Sequence, residues 1–224
     1  MALVDQLRLM VLTDPVLLAG RDALAVCRAA VQGGATMVQV RGKDATVRDL
    51  VSLTRALCAE LAVPVIVNDR VDVALVAGAA GAHLGQDDVP LDAARPHVPA
   101  GFLLGISVGS VAEAERVRTS SADYWSIGPC FATANKPDAG PPLLPNGFAA
   151  LARLAPGVPV IGIGGITAVN AAAIAQAGAV GVAVIHAVLG AADPQAAAAA
   201  VRGAVVKGRA GGGTAPSGSP TAAP

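Results

Sequence analysis

The sequence predicts an α/β fold, a (β/α)8 TIM barrel in a single domain, and three observations support this prediction. Short apolar runs typical of β-strands alternate with longer helical segments rich in Ala, Leu and Val, an order that favours parallel βα units. Eight such units follow one another along the chain. A length of 224 residues is enough for one substantial core. A doubly wound sheet remains the alternative, because the closure of a sheet cannot be read from a sequence.

Each predicted strand is a short apolar run that ends at or just before a polar or glycine residue. A helical segment follows each strand, and the first residues of one helix, Thr46 with Asp49, form a capping pattern. The strands are predicted near residues 8–13, 36–41, 64–68, 81–84, 102–107, 123–127, 159–163 and 180–185. The helices are predicted near residues 20–32, 46–61, 70–78, 90–97, 111–119, 146–155, 167–177 and 193–207.

Two segments differ from the alternating pattern. Residues 1–208 are predicted to form the barrel, which would be the catalytic domain, whereas residues 209–224 are predicted to be a disordered C-terminal tail. The tail, RAGGGTAPSGSPTAAP, holds too little apolar surface to order itself. Residues 128–146 form a long Gly- and Pro-rich loop within the barrel sequence, and loops of that length are usually functional, often as lids.

The composition argues against nucleic-acid and membrane partners. Hydrophobic residues make up 54% of the chain, and 16 basic side chains balance 16 acidic ones. A net charge of zero without a basic stripe offers no surface for nucleic acid, and no apolar run reaches the roughly 18 residues that span a bilayer. Three widely spaced cysteines, Cys27, Cys58 and Cys130, are typical of reduced thiols, so a cytoplasmic location is expected. The chain could form a homo-oligomer.

Acidic residues follow two predicted strands, at ends that a parallel barrel would bring to one mouth. Asp69 comes directly after the strand near 64–68, and Asp87 and Asp88 follow the strand near 81–84. Because neighbouring side chains alternate in direction, one member of the Asp87–Asp88 pair would face inward, and Asp88 is preferred. Carboxylates such as Asp69 and Asp88 suit Mg²⁺, which takes one or two of them together with phosphate oxygens and water.

Basic residues are expected at the same rim. Arg41 and Lys43 follow the strand near 36–41, and Lys136 lies in the long loop, so that these cations could offset phosphate charge. A single Asp after a strand is more often a helix cap or a solvated turn residue. Independent caps would not assemble two carboxylates and three cations, and the combination therefore predicts an enzyme that binds a magnesium polyphosphate.

A second anion site is predicted at the end of the barrel sequence. The segment VPVIGIGGIT (158–167) is a strand that runs into a Gly-rich turn and the start of a helix. In barrels the loops after the last two strands often bind phosphate through backbone N–H groups, and Gly164 and Gly165 would let it approach closely. Two anion sites imply two small phosphorylated substrates. No nucleophile elbow and no zinc-ligand spacing are found.

Several motifs now resemble those of the thiamine-phosphate synthase family. The resemblance runs from about Arg8 to Val205 and rests on QVRGK (39–43), VPVIVNDRVDVALVAGAAGAHLGQDDVP (63–90), DYWSIGP (123–129) and VPVIGIGGITAVNAAAIAQAGAVGVAVI (158–185). It implies a (β/α)8 transferase of thiamine biosynthesis. Such an enzyme joins hydroxymethylpyrimidine pyrophosphate to a thiazole phosphate and releases pyrophosphate, with Mg²⁺ as cofactor, through a dissociative substitution.

The resemblance also implies roles for individual residues. Gln39 and His83 would lie by the pyrimidine, and Asp69 and Asp88 would hold Mg²⁺. The pyrophosphate would be bound by Arg41, Lys43, Asn68, Ser107 and Lys136, of which all but Asn68 are expected to be catalytic. The thiazole phosphate would be received by Thr133, Asn135, Gly165, Ile185 and the backbone of His186.

The chain departs from the family pattern at four positions. The family usually has Glu at position 42, His at 109, Thr at 135 and Ser at 186, where this chain has Gly42, Gly109, Asn135 and His186. A related group of thiazole tautomerases shares the fold, relies on that His and loses the metal-binding acid, so this chain differs from it on both counts. A non-catalytic sensor of a phosphorylated ligand is the remaining alternative, although Asp69, Asp88 and Lys136 are all retained.

Overall fold

The computed structural model describes residues 2–18, 20–133, 140–155 and 157–211, and within them the strands close into a parallel barrel. Each strand pairs with the next along the chain, and β8 pairs with β1, with Val184 opposite Val11. The (β/α)8 prediction is confirmed, and the doubly wound alternative is excluded. The strands are β1 (Leu9–Leu12), β2 (Met37–Val40), β3 (Val65–Asn68), β4 (Gly81–Leu84), β5 (Leu103–Val108), β6 (Tyr124–Ile127), β7 (Val160–Ile163) and β8 (Gly181–Val184).

Helices surround the barrel and cover its outer face. They are α1 (Leu3–Gln6), α2 (Pro15–Leu18), α3 (Ala23–Gln32), α4 (Val47–Glu60), α5 (Val71–Ala77), α6 (Leu91–Ala94), α7 (Val111–Val117), α8 (Leu144–Ala152), α9 (Ala171–Gln176), α10 (His186–Leu189) and α11 (Pro194–Gly211). A 3₁₀ turn follows α6. The predicted cap is present, because the Thr46 hydroxyl oxygen accepts a hydrogen bond from the Asp49 N–H at the start of α4. None of the helices in the described ranges is long and apolar enough to cross a membrane.

The last helix extends beyond the predicted domain boundary at residue 208. It continues to Gly211, and the Arg209 guanidinium donates a hydrogen bond to the Ala179 carbonyl at 3.1 Å. The first residues of the predicted tail are therefore helical. Residues 212–224, which make up the rest of that predicted tail, lie outside the described residues.

Alternate residues of each strand face two different environments. Outward residues such as Val11, Val38 and Trp125 pack against the helices in the larger apolar cluster. The inward residues fill the barrel with a second apolar cluster, whose buried members are Leu7, Met10, Leu12, Met37, Ile66, Tyr124, Ile161 and Ala183. Tyr124 is fully buried, and Gly105, directly opposite it on β5, leaves the space that its ring occupies.

The polar inward residues lie one step farther along the strands, toward their carboxyl ends. Gln39 lies two residues after Met37 on β2, His83 two residues after Gly81 on β4, and Ser107 two residues after Gly105 on β5. The barrel is thus apolar in its middle and polar at the carboxyl ends of its strands. Active sites of TIM barrels are found at this end.

We predict that Gly181→Ala destabilises the protein, because a Cβ at Gly181 would overlap the backbone of Leu7 and Arg8. The free energy of unfolding should fall by about 1–3 kcal/mol, as it does on overpacking a core. Gly203 in α11 is the matched control, since no atom lies within 4 Å of a Cβ built there. Gly203→Ala should instead raise the free energy of unfolding by roughly 0.5–1 kcal/mol. Denaturant titration measures both, and equal effects would contradict this explanation.

Candidate active site

The mouth of the barrel brings together most of the polar residues that the sequence singled out. Gln39, Asn68, His83 and Ser107 are each the last or the next-to-last residue of the adjacent strands β2 to β5, whose register places Asn68 beside His83. The acidic and basic side chains follow on the loops after these strands. Asn135 and Lys136 lie outside the described residues, so their predicted roles stay predictions.

The backbone of Asp69 adopts a conformation that is uncommon for any residue but glycine. Its φ angle is 63°, and the Arg70 N–H donates a hydrogen bond to the Asn68 carbonyl across it at 2.8 Å. A three-residue turn of this kind is rare and strained. The Asp69 N–H also donates to the His83 carbonyl at 2.7 Å, which joins the turn to β4. Asp69 is therefore held in a fixed position by a strained backbone turn.

Asp69 and Asp88 form a carboxyl pair at the mouth. Burial raises the pKa of Asp69 to about 6, and both a hydrogen bond with Asp88 and the charge of Asp88 contribute. Arg41 and Lys43 act on the same pKa in the opposite direction, which places both cations within electrostatic range. Asp88 is fixed in turn, because its Oδ2 atom accepts the Gly85 N–H at 2.6 Å.

Arg41 is held by an ion pair that the sequence did not reveal. Its Nη1 atom lies 3.1 Å from Oδ2 of Asp14, and both side chains are largely buried. The other oxygen of Asp14 accepts the N–H groups of Val16 and Leu17 at the start of α2. Asp14, Arg41 and Lys43 line a cleft of about 410 Å³. One acid therefore both caps a helix and orients the guanidinium beside the carboxyl pair.

His83 is buried, and both of its ring nitrogens are hydrogen bonded. Nδ1 lies 2.9 Å from the Tyr124 hydroxyl, and Nε2 lies 2.9 Å from Oγ of Ser107. Burial lowers the pKa of His83 to about 4, so its ring is neutral at pH 7. The Gln86 amide donates to the Ser107 carbonyl at 2.6 Å and helps to fix that strand end.

Gln39 presents a buried acceptor to the interior of the mouth. The side chain is 2% exposed, and its amide nitrogen lies 3.3 Å from Sδ of Met10. Its Oε1 atom has no hydrogen-bond partner in the part of the chain that the structure describes. Leaving such an acceptor unpaired costs roughly 1–3 kcal/mol. A ligand with an N–H group at this position would supply the missing partner.

The Gly-rich turn after β7 is shaped by its contact with residues 129–132. Gly164 and Gly165 have φ angles of 93° and 62°. A Cβ on Gly164 would meet Pro129, and one on Gly165 would meet Phe131 and the Ala132 carbonyl. These glycines are thus required by packing whether or not a phosphate binds.

Three of the predicted thiazole-phosphate residues, Gly165, Ile185 and His186, follow β7 and β8. The two strands are adjacent, so the loop that holds Gly165 lies beside Ile185 and His186. Ile185 precedes α10 and His186 begins it, and the His186 ring lies beside Gly190. Thr133 is the last described residue before the gap in the long loop.

The sequence did not reveal the part that Tyr124 plays in the site, nor the pairing of Asp14 with Arg41. Tyr124 could have been found, because an isolated glycine such as Gly105 in a strand often marks a close approach by another group. The side-chain period of two also puts Tyr124 on the same face as Ser126. The pairing of Asp14 with Arg41 joins two different strand ends and has no local signal.

Known proteins similar to this chain identify its family. A profile described as thiamine monophosphate synthase matches residues 9–188. The chain belongs to the thiamine monophosphate synthase family. It is accordingly an enzyme of the transferase class, as predicted, and the resemblance seen in its motifs is confirmed.

Named relatives of this family are similar over most of their length. The thiamine-phosphate synthase of Roseiflexus sp. (strain RS-1) is 48% identical over 191 residues, 84% of this chain and 80% of that protein. That of Methanoculleus marisnigri is 48% identical over 199 residues, 87% of this chain and 93% of that protein. The solved thiamine phosphate pyrophosphorylase from Pyrococcus furiosus has a TM-score of 0.83 at 34% identity, covering 92% of this chain and 99% of that one.

We predict that Asp69 makes the metal-free protein less stable as the pH rises. A carboxyl group whose folded pKa is about 6, above its ordinary 3.8, contributes stability at low pH that is lost as the pH rises between these values. Asp69→Asn removes this titration, and Asn tolerates the positive φ angle. In the presence of a chelator, its free energy of unfolding relative to the parent should therefore increase from about pH 4 to pH 7.

Asp87→Asn is the control for this measurement, because Asp87 is exposed. Its difference from the parent should stay nearly constant over the same pH range in denaturant titrations. A constant difference for Asp69→Asn as well would contradict the raised pKa of Asp69.

Proposed function

We propose that this chain is a thiamine-phosphate synthase that joins hydroxymethylpyrimidine pyrophosphate to hydroxyethylthiazole phosphate. The products would be thiamine phosphate and pyrophosphate. The observation that carries the proposal is the contact between Asp69 and Asp88 within electrostatic range of Arg41 and Lys43. Family membership and the names of the relatives support the same activity.

The donor set of the mouth fits Mg²⁺. Asp69 and Asp88 are hard oxygen donors held close together, and like charges at that distance require a proton or a cation between them. The described residues contain no cluster of three or more His, Cys, Asp or Glu side chains that could bind a metal. Two acids suffice for Mg²⁺, which commonly takes one or two carboxylates and completes its shell with phosphate oxygens and water. When bound, the ion would neutralise charge on the pyrophosphate.

The side chains around the acid pair would promote departure of the pyrophosphate. In a dissociative substitution, the bond between the pyrimidine methylene carbon and the pyrophosphate oxygen breaks first. The thiazole nitrogen then forms the new carbon–nitrogen bond. Arg41 and Lys43, with Lys136 from the long loop, would stabilise the negative charge that develops on the leaving group. Asn68 and Ser107 would bind the same group through hydrogen bonds.

A protein nucleophile is not needed for this reaction, and the cysteines are unsuited to that role. Burial raises the pKa of both Cys27 and Cys130 to about 12, and it also raises that of Cys58. Thiols with raised pKa values remain protonated and unreactive at neutral pH. This supports a mechanism that depends on leaving-group stabilisation.

The tautomerase alternative is disfavoured by the surroundings of Gly109. That group relies on a His at this position, but a Cβ on Gly109 would lie 3.0 Å from the Gly128 carbonyl oxygen. The Gly109 N–H donates a hydrogen bond to the Glu113 carboxylate at 2.7 Å.

A sensor without activity predicts ligand binding without turnover. The expected absence of nucleic-acid and membrane partners, the cytoplasmic location and an assembly into homo-oligomers stay predictions.

The direct test is to incubate the purified protein with both substrates, with and without Mg²⁺. We expect thiamine phosphate and pyrophosphate to appear in equal amounts only when the divalent ion is present. Binding of both substrates without product would favour the sensor, and conversion of the thiazole substrate alone would favour the tautomerase.

We predict that Asp69→Asn and Asp88→Asn each lower kcat at least about 100-fold, as loss of a leading charge-stabilising group does. Both variants should stay folded, because an amide oxygen can still accept the Gly85 N–H at position 88. Asp87→Asn is the matched control and should keep parental activity. Steady-state kinetics at several Mg²⁺ concentrations measure these effects. If either variant retains more than a tenth of the parental rate, the aspartate that it replaces does not have the assigned role.

We predict that Gln39→Met stabilises the protein while it weakens pyrimidine binding. Methionine has a similar shape and removes the unpaired Oε1 acceptor, so the free energy of unfolding should rise by about 1 kcal/mol. KM for the pyrimidine substrate should rise roughly tenfold, because the loss of a buried hydrogen bond to the ligand is about 1.4 kcal/mol. Gln176→Met, at an exposed position, should change neither quantity. A loss of stability at position 39 would contradict the unpaired state of the acceptor.

A further inference from the structure

A buried hydrogen-bond chain connects the interior of the barrel with its mouth. It runs from the Tyr124 hydroxyl to Nδ1 of His83, and from Nε2 of His83 to Oγ of Ser107, with 2.9 Å at each step. Tyr124 is fully buried, and its ring lies against that of His83, with centroids 5.5 Å apart. Ser107, at the other end, is only partly buried and is the last inward residue of β5.

The direction of this chain depends on which ring nitrogen of His83 carries the proton. A neutral imidazole has one donor and one acceptor nitrogen. If Nδ1 accepts from the phenol, Nε2–H donates to Ser107. If Nδ1 carries the proton instead, the Nδ1–H group donates a hydrogen bond to the phenol oxygen, and the phenol hydrogen needs a different acceptor.

The surroundings of Tyr124 favour the first arrangement. Its ring lies in the apolar cluster of the barrel interior, with Met10, Met37 and Ile66 among the members. His83 is the hydrogen-bond partner of the phenol within the described residues. Because burial raises the pKa of Tyr124, the hydroxyl keeps its proton and remains a donor. A phenol hydrogen turned toward this apolar cluster would be left unpaired, which is unfavourable.

We propose that Tyr124 is a positioning residue that acts through His83 to make the Ser107 hydroxyl a hydrogen-bond donor to the leaving pyrophosphate. The phenol donates to Nδ1, and Nε2–H donates to Oγ of Ser107. The hydrogen of the Ser107 hydroxyl is thereby directed to an acceptor in the mouth. The identity of that acceptor rests on the proposed function. The direction of the first two hydrogen bonds does not depend on it.

This direction suits the chemistry of the mouth. A pyrophosphate group gains negative charge as it leaves, and a donor already oriented toward it stabilises that charge. A serine oxygen that presented lone pairs would repel it. His83 uses both nitrogens within the chain, so it would touch the pyrimidine only through its ring face.

Tyr124→Phe tests the proposal, because it keeps the ring that fills the space opposite Gly105 and removes only the hydroxyl. We expect kcat to fall about tenfold, as for the loss of orientation of one donor, with KM for the pyrimidine substrate changed less than about twofold. In a Ser107→Ala background, the same substitution should have almost no further effect. Multiplicative losses in the double variant would overturn the proposal.

The control is Thr54→Val, which removes another buried hydroxyl, bonded to the Leu50 carbonyl at 2.6 Å within helix α4 and outside the hydrogen-bond chain. Its kcat should equal that of the parent even if its melting temperature falls as much as that of Tyr124→Phe. A comparable loss of kcat in this control would mean that the effect reports general stability, and the proposal would fail.

Nitrogen-15 NMR of His83 in the substrate-free protein tests the direction independently of activity. We expect an unprotonated Nδ1 and a protonated Nε2 in the parent, and a changed Nδ1 resonance in Tyr124→Phe, where the phenol no longer donates to this nitrogen. A protonated Nδ1 in the parent would overturn the proposal. A parent with the expected tautomer but no turnover would contradict the proposed function, and with it the pyrophosphate acceptor, while the direction from Tyr124 to Ser107 would stand.

Discussion

Two carboxyl groups in contact, Asp69 and Asp88, are the interaction on which the mouth of this barrel depends. Like charges at hydrogen-bond distance repel each other, so the pair requires a proton or a cation. The fold keeps them together nonetheless, with a strained turn at Asp69 and a hydrogen bond from the Gly85 N–H to Asp88. We therefore propose that this arrangement serves a positively charged partner.

The barrel makes this arrangement possible by separating an apolar interior from a polar rim. Tyr124 fills the space opposite Gly105 in the middle of the barrel, and the polar inward residues lie nearer the carboxyl ends of the strands. The unpaired acceptor of Gln39 lies directly above that apolar layer, and the hydrogen-bond chain that ends at Ser107 begins within the layer, at Tyr124. Cations lie at the edge, where Asp14 orients Arg41.

The fold could be predicted because its signals are local and repeated. The strand at 81–84 has the predicted bounds, and the other strands differ by at most one residue at each end. Helices α1, α2 and α10 were not predicted, because a four-residue helix is too short to show an apolar period. Asp69 and Asp88 could be placed from their positions after two strands, whereas the Asp14–Arg41 pair and the contact of Tyr124 with His83 depend on packing between distant segments.

The most direct test of this account is a crystal structure with pyrophosphate and Mn²⁺ in place of Mg²⁺, since the anomalous signal of Mn²⁺ locates the ion. We expect a peak between Asp69 and Asp88, roughly 2.0–2.3 Å from an oxygen of each carboxylate, with pyrophosphate oxygens completing the shell. A peak that contacts only one of the two acids, or none between them, would contradict it.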